Sequence, residues 1–176
     1  MNPLMQTMSA RRSVRQYNGQ PVCDDALDAI LRAGMLAPTG KGIRPYDFIV
    51  IKNAATLKKL IGCRAGGAKM LETASAAIAV LGDENRSDTW IEDCSVSMGY
   101  MHLMASELGL GSCWLQIRLR PSNTDELSAE AFSRGLLDFP QNERLEALLV
   151  LGPIDQVPTP NQPDLLPMDK VHKEKW

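Results

Sequence analysis

Apolar residues recur along this chain in two rhythms, and the switches between them predict its elements. Leu27, Ile30 and Leu31 share one face of a helix that Asp24 can cap and that ends near residues 34–38. Residues 37–45, rich in Gly and Pro, follow as a loop. That loop is either a place where backbone amides approach a ligand or an ordinary connection. Residues 46–52 carry the unbroken apolar run Phe48-Ile49-Val50-Ile51 and predict a strand, with 54–61 a short helix and 64–67 a turn. A short helical stretch carrying Lys69 leads into a small-residue strand, Ala76-Ala77-Ile78-Ala79-Val80-Leu81.

The longest helical pattern runs from Ser87 or Asp88 to Leu108. It is rich in Met, Ala, Ser and Gly, which suits burial on more than one side or a place at a subunit interface. Residues 109–111 stop it, and 112–117 predict a strand whose Trp114 can cover a flat ligand or fill core. A helix is expected from Asn123 to Leu137 and a fully apolar strand over 145–151. Residues 152–167 hold five prolines and predict an extended arm. Helices and strands that mix without strict alternation, and without a G-x-G-x-x-G turn after the first strand, predict an α+β layered sheet.

Composition narrows the chemistry. A chain of 176 residues with evenly spread apolar positions is read as one domain, residues 1–176. A net charge of −2 from interleaved charges gives no field for nucleic acid or an acidic membrane. No segment is long and apolar enough to span a bilayer, and residues 1–10 lack signal-peptide character, so a cytoplasmic protein is expected. Cys23, Cys63, Cys94 and Cys113 lack paired spacing, so no metal site is expected. His102 and His172 are the only histidines, and His102 on the long helix reads as structural. With acid and base groups this scarce, an enzyme would take its chemistry from a cofactor.

Arg11-Arg12-Ser13-Val14-Arg15 packs three guanidinium groups and a hydroxyl into five positions ahead of the first predicted helix. That combination suits a phosphate, because the guanidinium fork donates two parallel hydrogen bonds and stays charged. Ala37-Pro38-Thr39-Gly40, Lys69-Met70-Leu71, Leu108-Gly109-Leu110-Gly111-Ser112-Cys113-Trp114 and the closing Val171-His172-Lys173-Glu174-Lys175-Trp176 follow at long intervals. In this order the segments resemble the FMN-dependent nitroreductase family over nearly the whole chain.

The resemblance implies a central mixed, mostly antiparallel sheet flanked by helices. It also implies an intertwined homodimer with active sites at the interface and a C-terminal arm, about residues 153–176, wrapping the partner. Arg11, Arg12 and Ser13 would reach the flavin phosphate and ribityl chain, and Arg15, reinforced by Lys69, the pyrimidine edge of the ring. Pro38 and Thr39 would come from the partner subunit, and Trp114, Leu115 and Gln116 would pass over the ring, with a backbone N–H aimed at N5. The implied activity is ping-pong: NADH or NADPH reduces FMN, which then reduces a nitroaromatic, quinone or similar small acceptor, with no side chain as nucleophile or acid/base. The alternative is a non-catalytic, degenerate protein that binds or stores flavin. Two departures favour that alternative. Gly42 and Arg44 stand where polar Asn and Gln are common, and Asn161-Gln162-Pro163 stands where a cation is common, with Lys170 a distant substitute.

Overall fold

The computed structural model describes residues 2–124 and 126–176. Four strands, β1 (Tyr46–Ile51), β2 (Ala76–Asp83), β3 (Gly111–Gln116) and β4 (Glu143–Gly152), form a sheet in the order β1-β2-β4-β3. Every pairing among them is antiparallel. Among the described residues the parallel component of the expected mixed sheet is a single bridge, Ser13 to Ser112.

Five α-helices surround the sheet: α1 (Pro3–Ala10), α2 (Asp24–Met35), α3 (Ala54–Leu60), α4 (Trp90–Glu107) and α5 (Ala129–Leu137). The central strands β2 and β4 are buried on both faces, which is why they read as unbroken apolar runs. On one face Ile78, Val80 and Leu149 pack with Ile30 of α2 and Met98 and Met101 of α4. On the other, Ala77, Ala79, Leu148 and Val150 pack with Leu57 and Leu60 of α3 and with Phe132 and Leu136 of α5.

Several boundaries differ from expectation for local reasons. Helix α1 was not foreseen: Asn2 caps it by accepting from the Met5 N–H at 2.8 Å, and Pro3 opens it. The Arg cluster therefore follows a helix, and the Arg11 N–H closes it on the Thr7 carbonyl at 3.0 Å. Asp24 is not the cap of α2. Cys23 holds that position without a side-chain bond, while Asp24 lies in the first turn, where the helix dipole favours a carboxylate, and pairs with Lys52 at 2.5 Å. Helix α5 starts at Ala129, not Asn123, because the Ser128 hydroxyl caps it and Pro121 bridges to Ser128. Helix α4 starts at Trp90, after Ser87 and Thr89 have bonded to each other and to Asp93. Among the described residues no helix is long and apolar enough to cross a membrane.

Candidate active site

Strand β3 lies at the end of the sheet, and its free edge organises the site. The Val14 N–H donates to the Ser112 carbonyl at 2.9 Å beside the Ser13–Ser112 bridge, so the peptide groups of Ser112 face outward. By the two-residue period of a strand those of Trp114 and Gln116 face outward as well. Beyond this clasp, the Tyr17 hydroxyl donates to the Val14 and Val150 carbonyls at 2.8 and 3.2 Å, and its N–H to the Thr73 hydroxyl at 3.2 Å. Burial pushes the Tyr17 phenol far above its ordinary pKa, so it stays a neutral anchor. Exposed Arg15 thus rides between two fixed points, Val14 and Tyr17.

The other cations gather at the same end. Arg11 is half-buried, and exposed Arg12 donates one Nη1 bond to the Thr159 carbonyl at 2.6 Å. The Asn161 N–H donates to the Ser9 carbonyl at 2.8 Å, so residues 153–161 run along their own chain's Arg segment. Burial raises the Cys113 thiol pKa, partly offset by Arg15 and then Arg11. Lys69 is exposed at the start of the 3-10 turn Lys69–Glu72, and Thr73, just after that turn, receives the Tyr17 N–H. The turn is thereby fastened beside Arg15. A cleft of about 640 Å³ opens between Ser13, Arg15, Tyr17, Asn18, Ile154 and Gln156. A smaller one of about 80 Å³ lies between Arg11, Arg12, Ser106, Ser112 and Pro158.

Along β3 the side chains alternate. Leu115 is fully buried among the α3 and α5 residues, while Trp114 packs toward α2 and α4. The Trp114 indole N–H donates to Gln116 Oε1 at 2.7 Å, and Gln116 Nε2 donates to the Arg118 and Glu146 carbonyls at 3.2 and 3.3 Å. Trp114 is held partly in core, with its carbonyl accepting from the Cys113 thiol at 3.7 Å and its N–H on the outward side of the strand.

Pro38 and Thr39 are not brought to this cluster. The Gly40 N–H beside them donates to Asp93 near the start of α4, whereas Ser106, which lines the Arg11 cleft, is near its end. Thirteen residues of helix separate these points, about 20 Å at 1.5 Å per residue. Lys170 lies in an exposed turn, and the backbone of Asn161, in place of a cation, meets the N-terminal segment. Thr73 and Thr159 were not expected to take part, since nothing in their local sequence marks them, and Ser112, though inside one of the family-like segments, was given no role of its own.

Residues 8–63 match the profile of the Nitroreductase family. Across the full length of both proteins the chain is 34% identical to an Archaeoglobus fulgidus protein provisionally named NADH dehydrogenase/NAD(P)H nitroreductase. It superposes on an FMN-dependent nitroreductase from Clostridium difficile with a TM-score of 0.93 at 36% identity, covering 98% of this chain and 99% of that one. A nitroreductase with bound FMN from Bacteroides fragilis gives a TM-score of 0.71 at 26% identity, covering 88% and 89% of the two chains. The chain therefore belongs to the nitroreductase family.

Proposed function

We propose that this protein is a cytoplasmic, homodimeric FMN oxidoreductase with NADH or NADPH as electron donor. The observation that carries this reading is the gathering of Arg11, Arg12, Ser13 and Arg15 at the open edge of β3 in a chain of this family. The residues fit FMN. A phosphate needs several donors, and Arg11, the remaining N–H groups of Arg12 and the Ser13 hydroxyl supply them. The outward N–H row of β3 at Trp114 and Gln116 offers hydrogen bonds to a ring edge, and Leu115 backs it from the core. FMN supplies the redox chemistry when bound, taking a hydride from the nicotinamide and then reducing a small acceptor such as a nitroaromatic or quinone in a ping-pong cycle. Arg15 and Lys69 would supply the positive charge that favours a reduced, anionic flavin, and no side chain would need to act as nucleophile or acid/base.

A homodimer supplies what one subunit lacks. Pro38 and Thr39 reach a flavin only from a second copy, given their place at the opposite end of α4. An apolar groove of about 710 Å³ between α1, α2 and α4, lined by Leu4, Met8, Leu36, Tyr100 and Met104, offers the contact face. The whole chain serves as one FMN-binding unit with residues 153–176 as its arm. After the 153–161 stretch, exposed Leu165, Leu166, Met168, Val171 and Trp176 wrap the partner. The four cysteines are free thiols, which suits a reducing compartment.

The test is flavin retention. Wild-type protein reconstituted with FMN keeps it through gel filtration, and Arg12→Ala and Arg15→Ala weaken binding about ten- to a hundredfold. Equal affinity in all three proteins would overturn the assignment. The missing cation near Asn161 favours one second reading, a flavin-binding protein without turnover; flavin held but untouched by either nicotinamide would select it.

A further inference from the structure

We propose that His102 is a positioning residue for the phosphate end of the flavin site: through Ser112 it fixes the start of β3, against which Ser13 and Val14 are clamped. The proposal rests on the phosphate site assigned above to Arg11, Arg12 and Ser13. His102 is 7% exposed on α4, and its Nδ1 lies 2.8 Å from the Ser112 hydroxyl, a residue that is 2% exposed. The same Ser112 accepts the Val14 N–H at 2.9 Å and pairs with Ser13. A continuous path of contacts thus runs from the long helix to the cationic segment: His102, Ser112, Val14, then Arg15.

The neighbours of His102 on the buried side of α4, Met98, Met101 and Ala105, are apolar. An apolar side chain at position 102 would pack there without the cost of burying an imidazole. What the imidazole adds is a directed bond to Ser112. Either neutral tautomer makes it, since Nδ1 can accept the hydroxyl proton or donate its own, and a hydroxyl does both. Burial, with the Arg11 guanidinium adding to it, holds the ring neutral at physiological pH, so no second cation competes with Arg11 for an anion. Ser112 also lines the small cleft it shares with Arg11 and Arg12. A shift of its hydroxyl or of the strand start moves the floor of the place where those donors converge.

The experiment compares FMN with riboflavin, which lacks the phosphate. Dissociation constants for both are measured by flavin fluorescence in wild type, His102→Leu, His102→Asn, Ser112→Ala and Arg12→Ala. His102→Leu is expected to lose FMN affinity about tenfold with riboflavin binding unchanged, the scale of one positioned hydrogen bond. Asn carries a polar atom at the branch occupied by Nδ1 and is expected to recover most of the loss. Ser112→Ala removes only the hydroxyl, reproduces the loss, and decides the matter if His102→Leu does not fold. If Arg12→Ala lowers the FMN-to-riboflavin preference while His102→Leu and Ser112→Ala leave it unchanged, or weaken both flavins alike, the role of His102 is overturned and the phosphate site stands. An unchanged preference in Arg12→Ala as well overturns the phosphate site itself.

Discussion

Gly111 and Gly152 stand opposite each other across β3 and β4, and neighbouring side chains fill the space that a Cβ on either would need. A Cβ on Gly152 would lie 2.8 Å from Cβ of Tyr17, and one on Gly111 would lie 2.5 Å from Ile154 and 3.0 Å from Val14. The bare backbone at this pair lets the segment bearing Arg15 lie flat on the sheet. Gly152→Ala is expected to destabilise the fold by about 1–3 kcal/mol through overpacking against Tyr17, read by urea denaturation. Wild-type stability in that variant would contradict the close packing of Tyr17.

Acid stability should carry the signature of two buried groups with opposite signs. Burial, then Arg11, pulls His102 down to about 4 from its ordinary 6.5. As pH falls through that window the unfolded chain gains a proton that the native state refuses, so stability drops, by at most about 3 kcal/mol. Glu143 is pushed up to about 7, first by burial and then by Asp47 and Asp83. Its native state keeps a proton that the unfolded chain releases above about 4.5, so this group lowers stability as pH rises toward 7. His102→Asn should flatten the acid side of the stability profile and Glu143→Gln the neutral side. Profiles parallel to wild type would remove both assignments.

Removing residues 162–176 should leave the fold intact and weaken the proposed dimer, because nearly all of that stretch is exposed on the subunit and none of it is buried. Circular dichroism would report the fold and sedimentation velocity the assembly. A truncated protein that sediments as a dimer at the same concentrations as the full chain would show that the arm does not hold the partner.

The sequence was most legible where physics is local. Ala76 to Leu81 and Leu145 to Leu151 read as strands because helices cover the central strands on both faces, and Phe48-Ile49-Val50-Ile51 read as one although it forms an edge strand with Val50 exposed. The Arg11–Arg15 cluster was visible because its members are contiguous. Helix α1 was not visible: Leu4, Met5 and Met8 remain exposed, and the helix is held by its Asn2 cap, by Pro3 and by a tertiary bond from the Thr7 hydroxyl to Glu107 of α4 at 2.5 Å. The strand order β1-β2-β4-β3 and the Arg12–Thr159 bond, which joins positions 147 apart, depend on tertiary packing that no local period encodes. Trp114 stayed open between ligand and core because an aromatic residue on a strand suits either, and in the fold its indole packs toward α2 and α4.

The most direct test of the flavin oxidoreductase assignment is the visible spectrum of the FMN-reconstituted protein under anaerobic conditions, recorded before and after NADH and then NADPH. Bleaching of the flavin absorbance by at least one nicotinamide, reversed by an added quinone, is the predicted result. Absence of bound flavin, or a bound flavin that stays oxidised with both donors, would contradict it.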